Sequence, residues 1–142
     1  QFAVADKAGT ATFIEVAEGF TQMSGLAETY DQDLLSRVRQ DPRHVERQVS
    51  VKTQTLAGIL LDAGIPNPDF VSLDIEGGEV AALKAFPFAD HRVGAWAIEN
   101  NTGTGAINEI MRANGYQLVE FCGPDEIYAL SSILSRGRSA PS

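Results

Sequence analysis

A single cysteine, Cys122, stands in a chain of 142 residues, so no internal disulfide can form. It lies in the apolar run LVEFC, where inert burial is expected rather than reactivity. Histidine is equally scarce. His44 and His91 are far apart, neither has a metal-like neighbour pattern, and both are expected on the surface. Basic residues are few: eleven Lys and Arg against nineteen Asp and Glu leave a net charge of -8, with no basic stripe to hold nucleic acid. Long apolar runs are missing too. None approaches the ~20 residues that span a bilayer, and no charged-then-apolar signal opens the sequence. The expectation is a cytoplasmic protein with no membrane partner and no nucleic-acid partner.

What is there suffices for one domain, since 44% of the residues are hydrophobic and can build a real core. The first residue is Gln1, and the apolar alternation of Phe2 and Val4 is already running, which suggests a piece of a longer polypeptide. Two alternating runs, residues 2–6 and 11–16, flank Gly9 and predict an N-terminal β-hairpin. Residues 18–45 are polar apart from Leu34, Leu35 and Val38, and read as an excursion with one short helix. Residues 48–54 alternate like a half-exposed strand. Thr55 then caps a helix carrying Leu56, Ile59, Leu60 and Ala63, closed by Gly64 and Pro66. Further on the spacing predicts strand 70–75, helix 79–86, strand 93–99, helix 105–114 stopped by Gly115, and strands 116–122 and 126–131. Strands alternating with helices imply an α/β fold with a parallel sheet. The polar end SRGRSAPS, 135–142, is expected to be a disordered tail after a domain of 1–134.

The stretch SLDIEGGEV concentrates the chemistry. An apolar strand, Phe70 to Ile75, stops at Asp74 and Glu76, two glycines follow, and Glu79 falls in the first turn of the next helix. In open α/β sheets, ligands bind beyond the carboxyl ends of the strands. The next strand also ends in an acid, AIENN, so Glu99 and Asn100 join Asp74 and Glu76 on one rim if the two strands are parallel neighbours. A purely structural account competes, in which Asp74 and Glu76 satisfy the turn at Gly77 and Gly78 and Glu79 serves the helix end. That account is preferred for Glu79; a functional one is preferred for Asp74 and Glu99.

A rival lies downstream, where Gly103 and Gly105 precede a helix and imitate a dinucleotide fingerprint that fails at its third glycine, Asn108. Otherwise the loop is a flexible helix cap. Trp96 alternates with Ile98 in a strand and reads as core.

The order AVADKAGTATF, MSGL, QVSVKTQTLAGIL, DFVSLDIEGGEVAALKAF, AWAIE and NGYQLVEF resembles the FkbM-type S-adenosylmethionine-dependent methyltransferases over roughly Ala3 to Leu130. LDIEGGEVAALKAF is its most specific part, departing at Ser72, where Lys is common, and at Ala85, where glycine follows Lys84. The resemblance implies a Rossmann-like class I methyltransferase sheet that is incomplete, because the family's first strand with its glycine turn and the second strand with its ribose-binding acid have no counterpart here. It also implies Ala5 and Asp6 near the adenine of S-adenosylmethionine, Asp74 and Glu76 near the transferred methyl, and Ser24 of MSGL approaching the substrate.

Methyl transfer needs an aligned acceptor and, for a hydroxyl, a base. Asp74 suits the base or acceptor-orienting role, and Glu76, Glu99 and Asn100 suit substrate contacts. The expected reaction is O-methylation of a hydroxylated small molecule, a sugar or secondary metabolite. The alternatives are a non-catalytic fragment that binds no cofactor, or a nucleotide site on Gly103 and Gly105. With the first strands missing, 70–75 becomes a sheet edge that pairs with a second copy, is covered by the N-terminal hairpin, or meets the rest of a longer chain.

Overall fold

The computed structural model describes residues 2–18, 24–27 and 30–138, and it is mixed α/β with two four-stranded sheets. The first sheet contains β1 (Ala3–Val4), β2 (Gly9–Glu18), β3 (Gly25–Leu26) and β4 (Val45–Gln54), in the order β1-β4-β2-β3. Helix α1 (Gln32–Arg39) follows β3 in the chain, and its Leu35 packs with Ile14 and Tyr30 in a small core. The second sheet contains β5 (Phe70–Leu73), β6 (Ala95–Glu99), β7 (Tyr116–Cys122) and β8 (Asp125–Leu130), in the order β5-β6-β8-β7. Around it lie α2 (Leu56–Asp62), α3 (Glu79–Ala85), α4 (Ala106–Ala113) and α5 (Ser131–Arg138).

The expected N-terminal hairpin does not form. Strand β4 lies between β1 and β2, parallel to the first and antiparallel to the second, with Gly9 opposite Thr53 and Glu18 opposite Val45. The two-residue β1 offers β2 little to pair with, whereas β4 pairs with nine of its ten residues and sets Val49 and Val51 opposite Phe13 and Ala11. The fully parallel sheet is corrected as well. Only β5 and β6 run parallel in the second sheet, because Gly123 and Pro124 alone join β7 to β8 and so short a turn permits only an antiparallel pair.

Helix α2 starts where expected, with Thr55 Oγ1 accepting from the Gly58 N–H at 3.1 Å, and the chain leaves it through Gly64 at φ 71°. The main core joins Leu56 and Leu60 of α2, Leu83 of α3 and Met111 of α4 to Leu73, Ile98 and Tyr128 of the sheet. Trp96 sits fully buried at its centre, between Phe86, Phe88 and Tyr116, with ring centroids 5.3, 5.9 and 6.5 Å away.

Three expectations fail on burial or order. His91 is buried, its Nδ1 2.6 Å from the Pro66 carbonyl, so the ring N–H donates inward beneath Phe86 instead of facing water. Cys122 is exposed, since it lies at the end of β7, where residues 119–124 project past the core. The tail expected from 135 is helical through Arg138, anchored by Ile133 over Gly94 and by the Ser131 N–H bonded to the Gly115 carbonyl at 2.9 Å. Residues 139–142 lie outside the described residues, as do Met23 of MSGL and the parts of the excursion at 19–22 and 28–29. His44 is half-buried, with Nε2 2.9 Å from Glu46 Oε2. Among the described residues no helix is long and apolar enough to cross a membrane.

Candidate active site

Strand β5 ends at Leu73, and five residues turn the chain into α3. The turn is tight because Glu76 and Gly77 both take left-handed backbone angles, φ 54° and 100°. Glycine adopts this freely and a glutamate does not, so Glu76 is held there by its surroundings. The successive N–H groups of such a turn make an anion cradle. Glu79 fills it: Oε1 accepts from the Ile75 N–H at 2.8 Å and Oε2 from the Gly77 N–H at 3.0 Å, with the side chain buried. Glu79 is thus the structural member of the cluster, as its place in the first turn of a helix implied.

Parallel pairing of β5 with β6 sets Leu73 opposite Ile98, so the chains leave the sheet side by side with Asp74 and Glu99 at one rim. Carboxylate oxygens of Asp74, Glu79 and Glu99 lie within 4.8 Å of one another. Crowding of like charges raises proton affinity. The carboxyl contact with Asp74, then burial and the charges of Asp74 and Glu76, push Glu99 up to about 8, while Asn101 opposes the rise. Burial, then Asp74 and Glu79, push Glu76 up to about 7. Glu76 Oε2 and Glu99 Oε2 are buried without a hydrogen-bond partner. Crowded carboxylates of this kind favour a bound proton.

The excursion before α1 reaches this corner. A Cβ on Gly25 would stand 2.9 Å from Tyr30 Cδ2 and 3.3 Å from Glu76 Cβ, so glycine lets β3 slide between the Tyr30 ring and Glu76. Burial and the Glu76 charge raise the Tyr30 hydroxyl to about 12. Ser24, next to Gly25, accepts from the Val16 N–H at 2.9 Å, a bond that ties β3 to β2. Gly25 and Tyr30 escaped the sequence reading; the glycine of MSGL was its only trace.

The other expected positions lie apart from the carboxylates. Ala5 and Asp6 line a cavity of about 60 Å³ with Gly9, Leu26 and Thr53 on the first sheet. Asn100 turns to the opposite side of the rim, donating from Nδ2 to the Thr104 carbonyl at 3.0 Å and to Glu126 Oε2 at 3.1 Å. This organises the Gly103–Gly105 loop, whose surrounding concavity contains the Glu126 carboxylate and no lysine or arginine, the reverse of what a phosphate requires.

A model of the methyltransferase FkbM domain matches residues 1–118. The chain belongs to the FkbM methyltransferase family. No curated protein and no solved structure was found to match it. The FkbM match takes in the whole carboxylate corner, β3 and the first sheet, and it stops short of the β7–β8 turn.

Proposed function

We propose that this FkbM domain transfers the methyl of S-adenosylmethionine to a hydroxyl of a small molecule, and that the rim of Asp74, Glu76 and Glu99 is where the acceptor reacts. The observation that carries this reading is the pairing of Asp74 with Glu99 across two parallel strand ends, beside two orphaned carboxylate oxygens. When bound, the cofactor supplies a methyl on a cationic sulfur, and a cluster of acids with two buried, unpartnered carboxylate oxygens fits a cation. Glu99, at about 8, has the proton affinity suited to taking a hydroxyl proton near neutral pH. Asp74, exposed beside it, orients the acceptor. Glu79 and Gly25 hold the turn in place. Strand order β5-β6-β8-β7 supports reading the second sheet as one flank of a Rossmann-like class I sheet, left open at β5.

A second reading is favoured by the cavity beside Ala5 and Asp6. About 60 Å³ holds a few waters and no adenosine, which suits a chain that binds no cofactor unaided.

Asp74→Asn is expected to lower methyl transfer at least about tenfold, or ~1.4 kcal/mol of barrier, while calorimetry shows S-adenosylmethionine affinity unchanged. Full turnover in the variant removes Asp74 from the chemistry, and absence of saturable cofactor binding in the unsubstituted protein selects the second reading.

A further inference from the structure

Beyond Asn100 the rim opens into a concavity of about 400 Å³ that the carboxylate corner does not include. Loop 100–105 forms one wall and the turn between β7 and β8 the other. Phe121 lines it and is 60% exposed. Its cross-strand partner is Glu126, so the ring and the carboxylate stand on one face of the hairpin.

Glu126 is fixed from both sides. Tyr128 donates its hydroxyl to Oε1 at 2.8 Å, and Asn100 Nδ2 donates to Oε2 at 3.1 Å. Each oxygen keeps a lone pair for a further donor. Thr102 in turn donates to Asn100 Oδ1 at 3.0 Å, which locks the amide's orientation. The concavity therefore offers a flat apolar surface beside preset acceptors, with a negative charge and no lysine or arginine in its lining. Phosphates and carboxylates are repelled there. A neutral ring with an apolar face and hydroxyl edges matches both walls.

We propose that this concavity is a subsite for a neutral polyhydroxylated ring, stacked on Phe121 and donating hydroxyls to Glu126. The proposal rests on the methyl-transfer reading for its role as acceptor subsite, because Asn100, which lines the concavity, directly follows Glu99 of the carboxylate corner in the chain. Phe121 and Glu126 both lie past residue 118, where the family match ends.

The test uses neutral methyl hexopyranosides of gluco, galacto and manno configuration, titrated into the isotopically labelled protein with no cofactor present. Amide signals of Gly103, Gly105 and Gly123, which line the concavity, are expected to shift saturably for at least one of them, with a dissociation constant of about 1–10 mM. The matching uronate should bind more weakly. Phe121→Ala, a change at an exposed position, should weaken binding about tenfold, and Phe121→Trp should preserve it. The proposal fails if none of the glycosides moves these amides at about 50 mM, a range that covers such weak sites, or if Phe121→Ala binds as well as the unsubstituted protein. Glycoside binding without any methyl transfer would sink the proposed reaction and leave the subsite standing. Methyl transfer with an unchanged KM in Phe121→Ala would sink the subsite and leave the reaction standing.

Discussion

At the scale of single residues, the carboxylates crowded on one rim make stability depend on pH in an unusual direction. Glu99 ordinarily titrates near 4.5 and is raised to about 8, chiefly by its contact with Asp74 and by burial. Between those limits the folded protein holds a proton that the unfolded chain has lost. The stabilisation is fully present below pH 4.5 and disappears as pH rises through about 8. Glu76, raised to about 7, adds to the same trend. Thermal melts at about pH 5.5 and pH 8.5 should show a loss of stability on going to the higher pH that is smaller in Glu99→Gln, which carries no titrating proton. An equal loss in the variant would mean that Glu99 titrates normally. These acids were legible because residues at the ends of successive strands share a rim whenever the strands are parallel. Tyr30 was not legible, since its approach to Glu76 depends on β3 crossing the turn, 46 positions away in sequence, and no periodicity records that. His91 was misread for a related reason: a polar side chain in the loop ADHRVG finds its partner in the Pro66 carbonyl, a contact that only tertiary packing creates.

Elements were legible where apolar spacing and capping agreed, as in α2 with Thr55 or α4 with Gly115, and obscure where pairing decided. Residues 2–6 and 11–16 carry a hairpin's alternation, yet β4 displaces β1 because nine of its residues pair with β2. Nothing local distinguishes those outcomes. The union of β3 with the carboxylate corner is testable at Gly25, whose missing Cβ leaves room for the Tyr30 ring at 2.9 Å and Glu76 at 3.3 Å. Gly25→Ala overfills that contact and should cost about 1–3 kcal/mol, read as a lower denaturation midpoint. If the acid corner depends on β3, methyl transfer should fall with it at temperatures where the variant remains folded. A variant of unchanged stability would show that the Tyr30 ring moves aside freely.

The whole molecule presents two outer strands on its second sheet, and they are protected unequally. Strand β7 contains Glu120 and Gln117 and breaks register between Leu118 and Glu120, and charge and irregularity of this kind discourage further pairing. Strand β5, FVSL, contains no lysine or proline and has Phe70 55% exposed. Among the described residues it pairs with β6 alone, and the N-terminal hairpin expected as one possible cover does not form, β1 being bound to β4. Its outer N–H and C=O groups form a template for another strand. We therefore expect two copies to associate through β5, giving a mass by light scattering that rises with concentration above that of one chain, together with slowed amide exchange at Phe70 and Ser72, whose N–H groups face away from β6. Ser72→Lys places an ammonium in the exposed edge and should restore the monomer while leaving the β5–β6 pairing intact. A protein that scatters as one chain at every concentration, with fast exchange at Phe70 and Ser72, would show that the edge stays open in solution and that no second copy occupies it.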